Sequence, residues 1–200
     1  MSHRERRGFP ATRLGVLLLV ALAPQIAFAH PGHGAGHGFG HGFLHPLSGW
    51  DHLLAMVAVG VWAGQRGGKA MWLLPAAFVG TMIVGGALGL AGVGLPGVEA
   101  GILASVLVLG ALIATASRFP ETAAAALVAG FALFHGHAHG TEMPPNLSGA
   151  AYGAGFVTAT AALHAAGIAL PAVLLRTASE RWVRLTGAGI GLFGLALVLA

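Results

Sequence analysis

Long apolar stretches that follow one another constrain the fold of this chain more than any other feature. A helix needs about 20 apolar residues to cross a hydrocarbon core of roughly 30 Å, and it satisfies its backbone polar groups within its own segment. Only 8% of the 200 residues are charged and 56% are hydrophobic, whereas a soluble domain is about a quarter charged. The sequence therefore predicts an all-α polytopic membrane protein.

Six apolar stretches of suitable length are separated by short polar, proline-containing or glycine-rich breaks. We expect a six-helix transmembrane bundle over residues 44–200, preceded by a His- and Gly-rich external segment over residues 30–43. The predicted helices cover residues 44–64, 70–91, 98–116, 121–140, 149–175 and 181–200.

Residues 1–29 have the pattern of a cleavable secretory signal peptide. Four arginines precede the apolar run Leu14–Ala23, and Ala27, Phe28 and Ala29 form a small-x-small cleavage site. We expect cleavage after Ala29, so that the mature chain begins at His30 outside the cytoplasm. An uncleaved first helix is the alternative, and it leaves the following residues on the same side of the membrane.

The basic residues support one orientation of the bundle. Beyond residue 29, every lysine and arginine falls within loops 65–69, 117–120 and 176–184. The positive-inside rule assigns such loops to the cytoplasm. We therefore expect both ends of the mature chain to lie outside the cytoplasmic membrane.

Composition also argues against several functional classes. The sequence pI of about 11.2 arises because only six acidic residues oppose ten scattered basic ones, so no nucleic-acid partner is expected. The absence of cysteine excludes disulfides and thiolate ligands. No phosphate-binding loop is present, so no ATPase subunit is evident from this chain, and no prosthetic group is expected.

Two histidine-bearing motifs lie within the apolar stretches: HPLSGWDH from His45 to His52, and FHGHAHGTE from Phe134 to Glu142. Ionisable side chains are costly at bilayer depth and usually line an ion path or a buried site. Imidazole and carboxylate ligands without cysteine suit a divalent transition metal of intermediate hardness. We therefore expect the chain to move or hold a metal ion within the membrane.

In the first motif, His45 and His52 are seven residues apart and would share one face of a continuous helix, with Asp51 and His52 about 10 Å deeper than His45. Asp51 is expected to orient a ligand histidine, as carboxylates often do in metal sites. Alternatively, Asp51 and His52 form only a hydrogen-bonded packing pair.

In the second motif, His135 and His139 are one helical turn apart and can bind one cation together. Because this helix runs outward, both histidines should reach the depth of Asp51 and His52. Glu142 follows at the outer end of the helix. His137 falls on another face, where it is either an auxiliary ligand or exposed to solvent.

Further residues are secondary candidates. Glu99 either completes the ligand set or stabilises the start of its helix. His164, deeper in the bundle, is either an inner relay or a structural histidine. The glycine-rich tract before the first motif is either a flexible metal-collecting antenna or a solvated linker, and its histidines are His30, His33, His37 and His41.

At these motifs the sequence resembles the HupE/UreJ family of hydrogenase and urease accessory proteins, which are regarded as nickel permeases. The pattern H-P-x-x-G-x-D-H is met from His45 to His52, and F-H-G-x-A-H-G-x-E is met from Phe134 to Glu142. The resemblance implies a non-enzymatic Ni²⁺ permease in the bacterial inner membrane, which supplies hydrogenase or urease maturation. The residues that it implies as functional are His45, Asp51, His52, His135, His139 and Glu142.

The hypothesis is therefore a secondary or facilitated Ni²⁺ transporter whose partners are the ion and the lipid bilayer. Ligands must lose protons to bind metal, so uptake should fall as the external pH drops through the range of histidine. The ligand types do not themselves select nickel over Co²⁺, Zn²⁺ or copper. An intramembrane zinc-dependent hydrolase and a metal sensor or buffer that does not translocate the ion are the alternatives.

Overall fold

The computed structural model describes residues 35–177 and 179–199, and within these ranges the chain is helical and has no strand. The predicted signal peptide, His30 and His33 lie outside the described residues. Seven helices are present in the described ranges: α1 Ala35–Ser48, α2 Trp50–Arg66, α3 Ala70–Leu90, α4 Val98–Thr115, α5 Glu121–Glu142, α6 Gly149–Thr177 and α7 Glu180–Leu199.

Four of the described helices, namely α3, α4, α6 and α7, are long and apolar enough to cross a membrane. Several such helices fit the predicted multi-pass membrane protein. Helices α2 and α5, which carry the end of the first motif and the whole second motif, are not among these four. Helix α2 has only 17 residues, and α5 includes three histidines and two glutamates among its 22 residues.

The helix predicted over residues 44–64 is divided at Gly49, which is a difference from the sequence-based expectation. Gly49 has an extended backbone (φ −104°, ψ 125°) and separates α1 from α2. Helix α1 begins at residue 35, so the expectation of a flexible antenna is wrong for residues 35–43. Helix α1 packs closely against α6 at Gly42, because a Cβ atom there would overlap the backbone carbonyl of Tyr152. This close contact holds α1 in place.

Helix α2 lies at the centre of the described helices and packs most extensively against α6, α4 and α3. Its side chains from Ala55 to Ala63 are almost all fully buried, including Met56 and Trp62. Burial of apolar groups against neighbouring helices lets α2 stay in the interior despite its short length. The same enclosure provides a protein-lined environment for the polar residues in its first turn.

Helices α3 and α5 pack closely through glycine. A Cβ atom on Gly136 would overlap the carbonyl of Met82, and one on Gly140 would overlap the carbonyl of Gly86. Small residues at such positions allow helix backbones to approach in lipid. This contact leaves the neighbouring face of α5, which carries His135 and His139, directed at α2 and α4.

The end of the bundle opposite the histidine motifs carries the basic side chains. Arg66 donates from Nη2 to the carbonyl of Phe119 at 2.7 Å, and Arg184 donates from Nε to the carbonyl of Ala114 at 2.7 Å. Gln65 adds a 3.1 Å bond to the carbonyl of Ile113. Side chains from α2 and α7 therefore bond to carbonyls of the last turn of α4 and of the loop that follows it.

Candidate metal-binding site

Four imidazole rings from three helices meet at the end of the bundle where α2 begins. The ring centroid of His139 on α5 lies 4.6 Å from that of His45 on α1 and 4.4 Å from that of His52 on α2. His52 in turn lies 4.9 Å from His135. The two motifs, separated by more than 80 residues in sequence, thus form one histidine cluster, defined here as His45, His52, His135 and His139.

The outermost part of this cluster combines two histidines with a carboxylate. One ligand atom from each of His45, His139 and Glu142 lies within 4.8 Å of the others, and His45 Nε2 is 3.2 Å from Glu142 Oε2. The side chain of Glu142 is 51% exposed and that of His45 is 31% exposed, whereas His139 is buried. Glu142 and His45 therefore form the mouth of the site.

Asp51 determines which nitrogen of His52 is free to bind a cation. Its Oδ1 atom accepts hydrogen bonds from the backbone N–H of His52 at 2.7 Å and from the ring Nδ1–H at 2.8 Å. The ring proton is therefore on Nδ1, and Nε2 carries the lone pair. Nε2 is buried without a hydrogen-bond partner, which is the arrangement expected of a ligand histidine that a carboxylate orients.

Ser105 plays the corresponding role for His135, and the motif analysis did not identify it. When the Ser105 hydroxyl donates to the carbonyl of Ile102 at 2.6 Å, its oxygen accepts from Nε2–H of His135 at 2.9 Å. Nδ1 of His135 then carries the lone pair, and it is buried without a partner. The signal for this residue was weak: one hydroxyl in the middle of an apolar helix.

His139 is only 4% exposed, and neither ring nitrogen has a hydrogen-bond partner. Buried polar atoms are normally paired, so such a group requires an explanation. The ring of Phe156 on α6 packs against His139 with a centroid distance of 4.0 Å, and the ring of Tyr152 on the same helix lies 5.8 Å from that of His45. Tyr152 is the single tyrosine of the chain, a signal that the sequence analysis did not use.

The other candidates whose side chains the structure describes lie apart from the histidine cluster. Nε2 of His137 donates to the carbonyl of Val93 at 2.6 Å, and this histidine is only 6% exposed, so its predicted exposure to solvent is wrong. Glu99 is exposed in the first turn of α4 and is not part of the group around Glu142. His164 is buried deeper in the bundle, and His41 is exposed on α1. For His37, only the helical backbone is described.

The two ends of the first motif, His45 and His52, lie on different helices. Because the helix is interrupted at Gly49, His45 and His52 are not superposed on one helix face, as the spacing predicted. They approach His139 from two different helices instead. The lone pairs of His52 and His135, together with His139 and nearby carboxylates, make a donor set that suits Ni²⁺, Co²⁺, Zn²⁺ or Cu²⁺.

Comparison with known proteins agrees with these motifs. The chain is 47% identical over 182 residues to Protein HupE of Rhizobium leguminosarum bv. viciae, in an alignment that covers 90% of this chain and 95% of that relative. No solved structure matches the chain significantly. The sequence model of the family described as HupE / UreJ protein matches residues 17–197. The resemblance is thereby confirmed, and the chain belongs to the HupE/UreJ family.

Proposed function

We propose that this protein is a secondary or facilitated transporter of divalent transition metal ions, with Ni²⁺ as its substrate. The observation that carries the proposal is the group of buried nitrogens within the histidine cluster that no protein group satisfies: Nε2 of His52, Nδ1 of His135 and both ring nitrogens of His139. A cation that enters the histidine cluster would accept these lone pairs. The role is transport and not catalysis.

The choice of nickel rests on family membership and not on the ligands. Nitrogen and oxygen ligands bind copper more tightly than nickel under the Irving–Williams order, so selectivity depends on geometry and on which metal is available. The HupE/UreJ resemblance supports Ni²⁺ supply to hydrogenase or urease. Co²⁺ is the other ion that we expect the same ligands to accept.

The proposed topology has six membrane spans, α2 to α7, in the bacterial inner membrane, with α1 at the outer surface. Arg66 and Arg184, at the end of the bundle where α4 ends, support an orientation in which the opposite end, with the histidine cluster, faces outward. Cleavage after Ala29 and an external C-terminus belong to the same proposal. Helices α2 and α5 can tolerate polar residues because their neighbours cover much of their surface.

The order of the residues suggests how an ion enters. Exposed Glu142 attracts the cation to the mouth, where it meets His45 and His139. Because the His139 ring contacts both His45 and His52, the ion can exchange ligands one at a time instead of shedding all of them. Asp51 holds His52 in the binding tautomer and offsets part of the positive charge.

The test is flux of ⁶³Ni²⁺ into liposomes that contain the purified full-length protein. The wild type should accumulate Ni²⁺. In His139→Ala the uptake rate should fall at least roughly 100-fold, because loss of a ligand should cost no less than the largest losses seen for groups that only support ligands. Thr158→Ala is the matched control, because its exposed hydroxyl bonds only to the carbonyl of Ala154 on its own helix.

Three other outcomes would reject the proposal. Equal uptake by the wild type and His139→Ala would remove the histidine cluster as the binding site. Stoichiometric binding without entry into the liposomes would indicate a sensor or buffer. Metal-dependent cleavage of an ester or amide by the wild type, without flux, would indicate a hydrolase.

A further inference from the structure

His164 on α6 is a second buried histidine whose ring nitrogens are unsatisfied, and it belongs to neither motif. It is 1% exposed, and neither Nδ1 nor Nε2 has a hydrogen-bond partner. A histidine that only filled space would normally bond to a backbone carbonyl or another side chain. Two unpaired nitrogens in an apolar interior therefore call for a ligand.

Phe78 connects His164 to the histidine cluster. The Phe78 ring centroid lies 5.7 Å from that of His135 and 5.1 Å from that of His164. A single aromatic ring thus contacts both the deepest residue of the cluster and the isolated histidine. His164 is the next imidazole that an ion would meet on its way inward.

Polarisable atoms line the same region. Thr160, one turn from His164 on α6 and fully buried, has its hydroxyl within hydrogen-bond distance of the sulfur atoms of Met56 at 3.4 Å and Met82 at 3.7 Å. Thioether and imidazole ligands bind transition metals in preference to hard cations such as Mg²⁺ and Ca²⁺. No carboxylate is among these residues, so the region would not hold a hard cation.

On its other side, His164 lines a cavity between α3 and α6 that opens at the surface of the bundle and is otherwise lined by apolar side chains. The cavity has a volume of about 250 Å³, and its other lining residues include Met71, Pro75 and Ile168. Met71 and Pro75 lie in the first two turns of α3, next to the basic loop 65–69. His164 therefore stands between the buried core and an opening that extends toward the end of the bundle opposite the histidine cluster.

We infer that His164 is a second metal-binding station, which accepts the transition-metal cation from the histidine cluster and releases it into the cavity between α3 and α6. The inference rests on the proposed transport function. A station with a single imidazole binds less tightly than the cluster, and a conduction site must be weak enough for the ion to leave. The weak binding at His164 thus allows the ion to be released inward.

The first experiment separates binding from passage in the purified full-length protein. His164→Gln and His164→Leu are compared with the wild type and with Thr158→Ala for equilibrium Ni²⁺ binding in detergent and for ⁶³Ni²⁺ uptake into liposomes. We expect the binding affinity of the histidine cluster to stay within about twofold and the uptake rate to fall at least roughly tenfold, as for other losses of groups around a metal. Thr158→Ala should match the wild type in both measurements.

Equal uptake by the wild type and both His164 variants would overturn the station and leave the transport function standing. No uptake by the wild type would overturn both. An uptake loss accompanied by an equal loss of Ni²⁺ affinity at the cluster would also overturn the station, because it would show that His164 acts only by supporting the cluster.

The second experiment locates the metal directly. Wild-type protein in liposomes is exposed to Cu²⁺ with ascorbate and oxygen, which oxidise side chains near the bound ion, and the oxidised residues are identified by mass spectrometry. We expect oxidised His164 and sulfoxide at Met56 or Met82, and loss of these products with a chelator. Oxidation confined to the residues of the histidine cluster would contradict the proposal.

Discussion

The two faces of α5 treat neighbouring histidines differently. On one face, His135 and His139 lie within 5 Å of the His52 ring, and each has at least one buried nitrogen without a partner. On the other face, His137 donates to the carbonyl of Val93, between the glycines that pack against α3. The three residues lie within five consecutive positions of one helix.

This difference shows that the surroundings of a histidine, and not its presence in a motif, determine its role. The face toward α3 joins two helices, and its histidine bonds through Nε2 to a backbone carbonyl, while its Nδ1 is buried without a partner and no other imidazole of the described residues packs against it. The face toward α2 brings two histidines against the ring of His52, so that unpaired nitrogens of several imidazoles lie together. We call the first the packing face and the second the ligand face.

The largest expected effect comes from the packing face. Gly136→Leu would force α3 and α5 apart, because even a Cβ atom overlaps the carbonyl of Met82, and overpacking of this kind costs about 3 kcal/mol or more. The melting temperature in detergent should fall sharply, and uptake should be lost with the fold. Gly130→Leu is the control, since space is open around Gly130 on the same helix and leucine favours helix formation. Similar melting temperatures for the two variants would contradict the close packing of α3 against α5 at Gly136.

On the ligand face, His135→Ala should lower Ni²⁺ uptake roughly 100-fold while the protein remains folded. Deletion of the ring removes the Nδ1 lone pair, but Ser105 can still donate to the carbonyl of Ile102. Uptake into liposomes and the elution profile in detergent measure the two properties separately. A variant that aggregates would show that the ligand face also supports packing, and the comparison would then fail.

Ser105→Ala should have a smaller effect on the same face. The histidine stays, but Nε2–H of His135 loses its acceptor, so the ring orientation and the tautomer are no longer fixed. Loss of such a supporting group typically costs about tenfold in metal affinity. Titration of the purified variant with Ni²⁺ measures the change, and Ser105→Thr, which keeps the hydroxyl, should recover most of the affinity. Unchanged Ni²⁺ affinity in Ser105→Ala would show that Ser105 does not support the metal site.

The smallest effect is expected for His137→Leu. The variant loses one hydrogen bond to Val93, which is worth about 1 kcal/mol, and Val93 is exposed, so its carbonyl can find another donor. Uptake should remain within about twofold of the wild type. A loss as large as that of His135→Ala would mean that His137 binds the ion and that the two faces are not distinct.

Much of this arrangement could be predicted from the sequence. The ends of α3, α4 and α6 fall within two residues of the predicted ends, because glycine, proline and charged residues interrupt the apolar runs. The approach of the two motifs could also be predicted, since helices that run in opposite directions bring their outer ends to the same depth. Ser105 could not be predicted, because its partner lies 30 residues away in sequence and no spacing rule connects them.

The interruption at Gly49 was also missed, and the reason is physical. Pro46 is compatible with the first turn of a helix, so the segment from residue 44 onward resembles one continuous span. The structure instead has α1 on both sides of Pro46. Contacts of α1 with α6, which a single sequence does not reveal, make a separate short helix favourable here.

That interruption has a mechanical consequence. A Cβ atom at Gly49 would lie 2.8 Å from Oδ1 of Asp51 and 3.3 Å from Nδ1 of His52, so this joint has room only for hydrogen. His45 lies on α1, before Gly49, and His52 lies on α2, after it, while the ring of His139 contacts both. A rotation of α1 about residue 49 would withdraw His45, which is the partner of Glu142, yet leave the rings of His52, His135 and His139 in place.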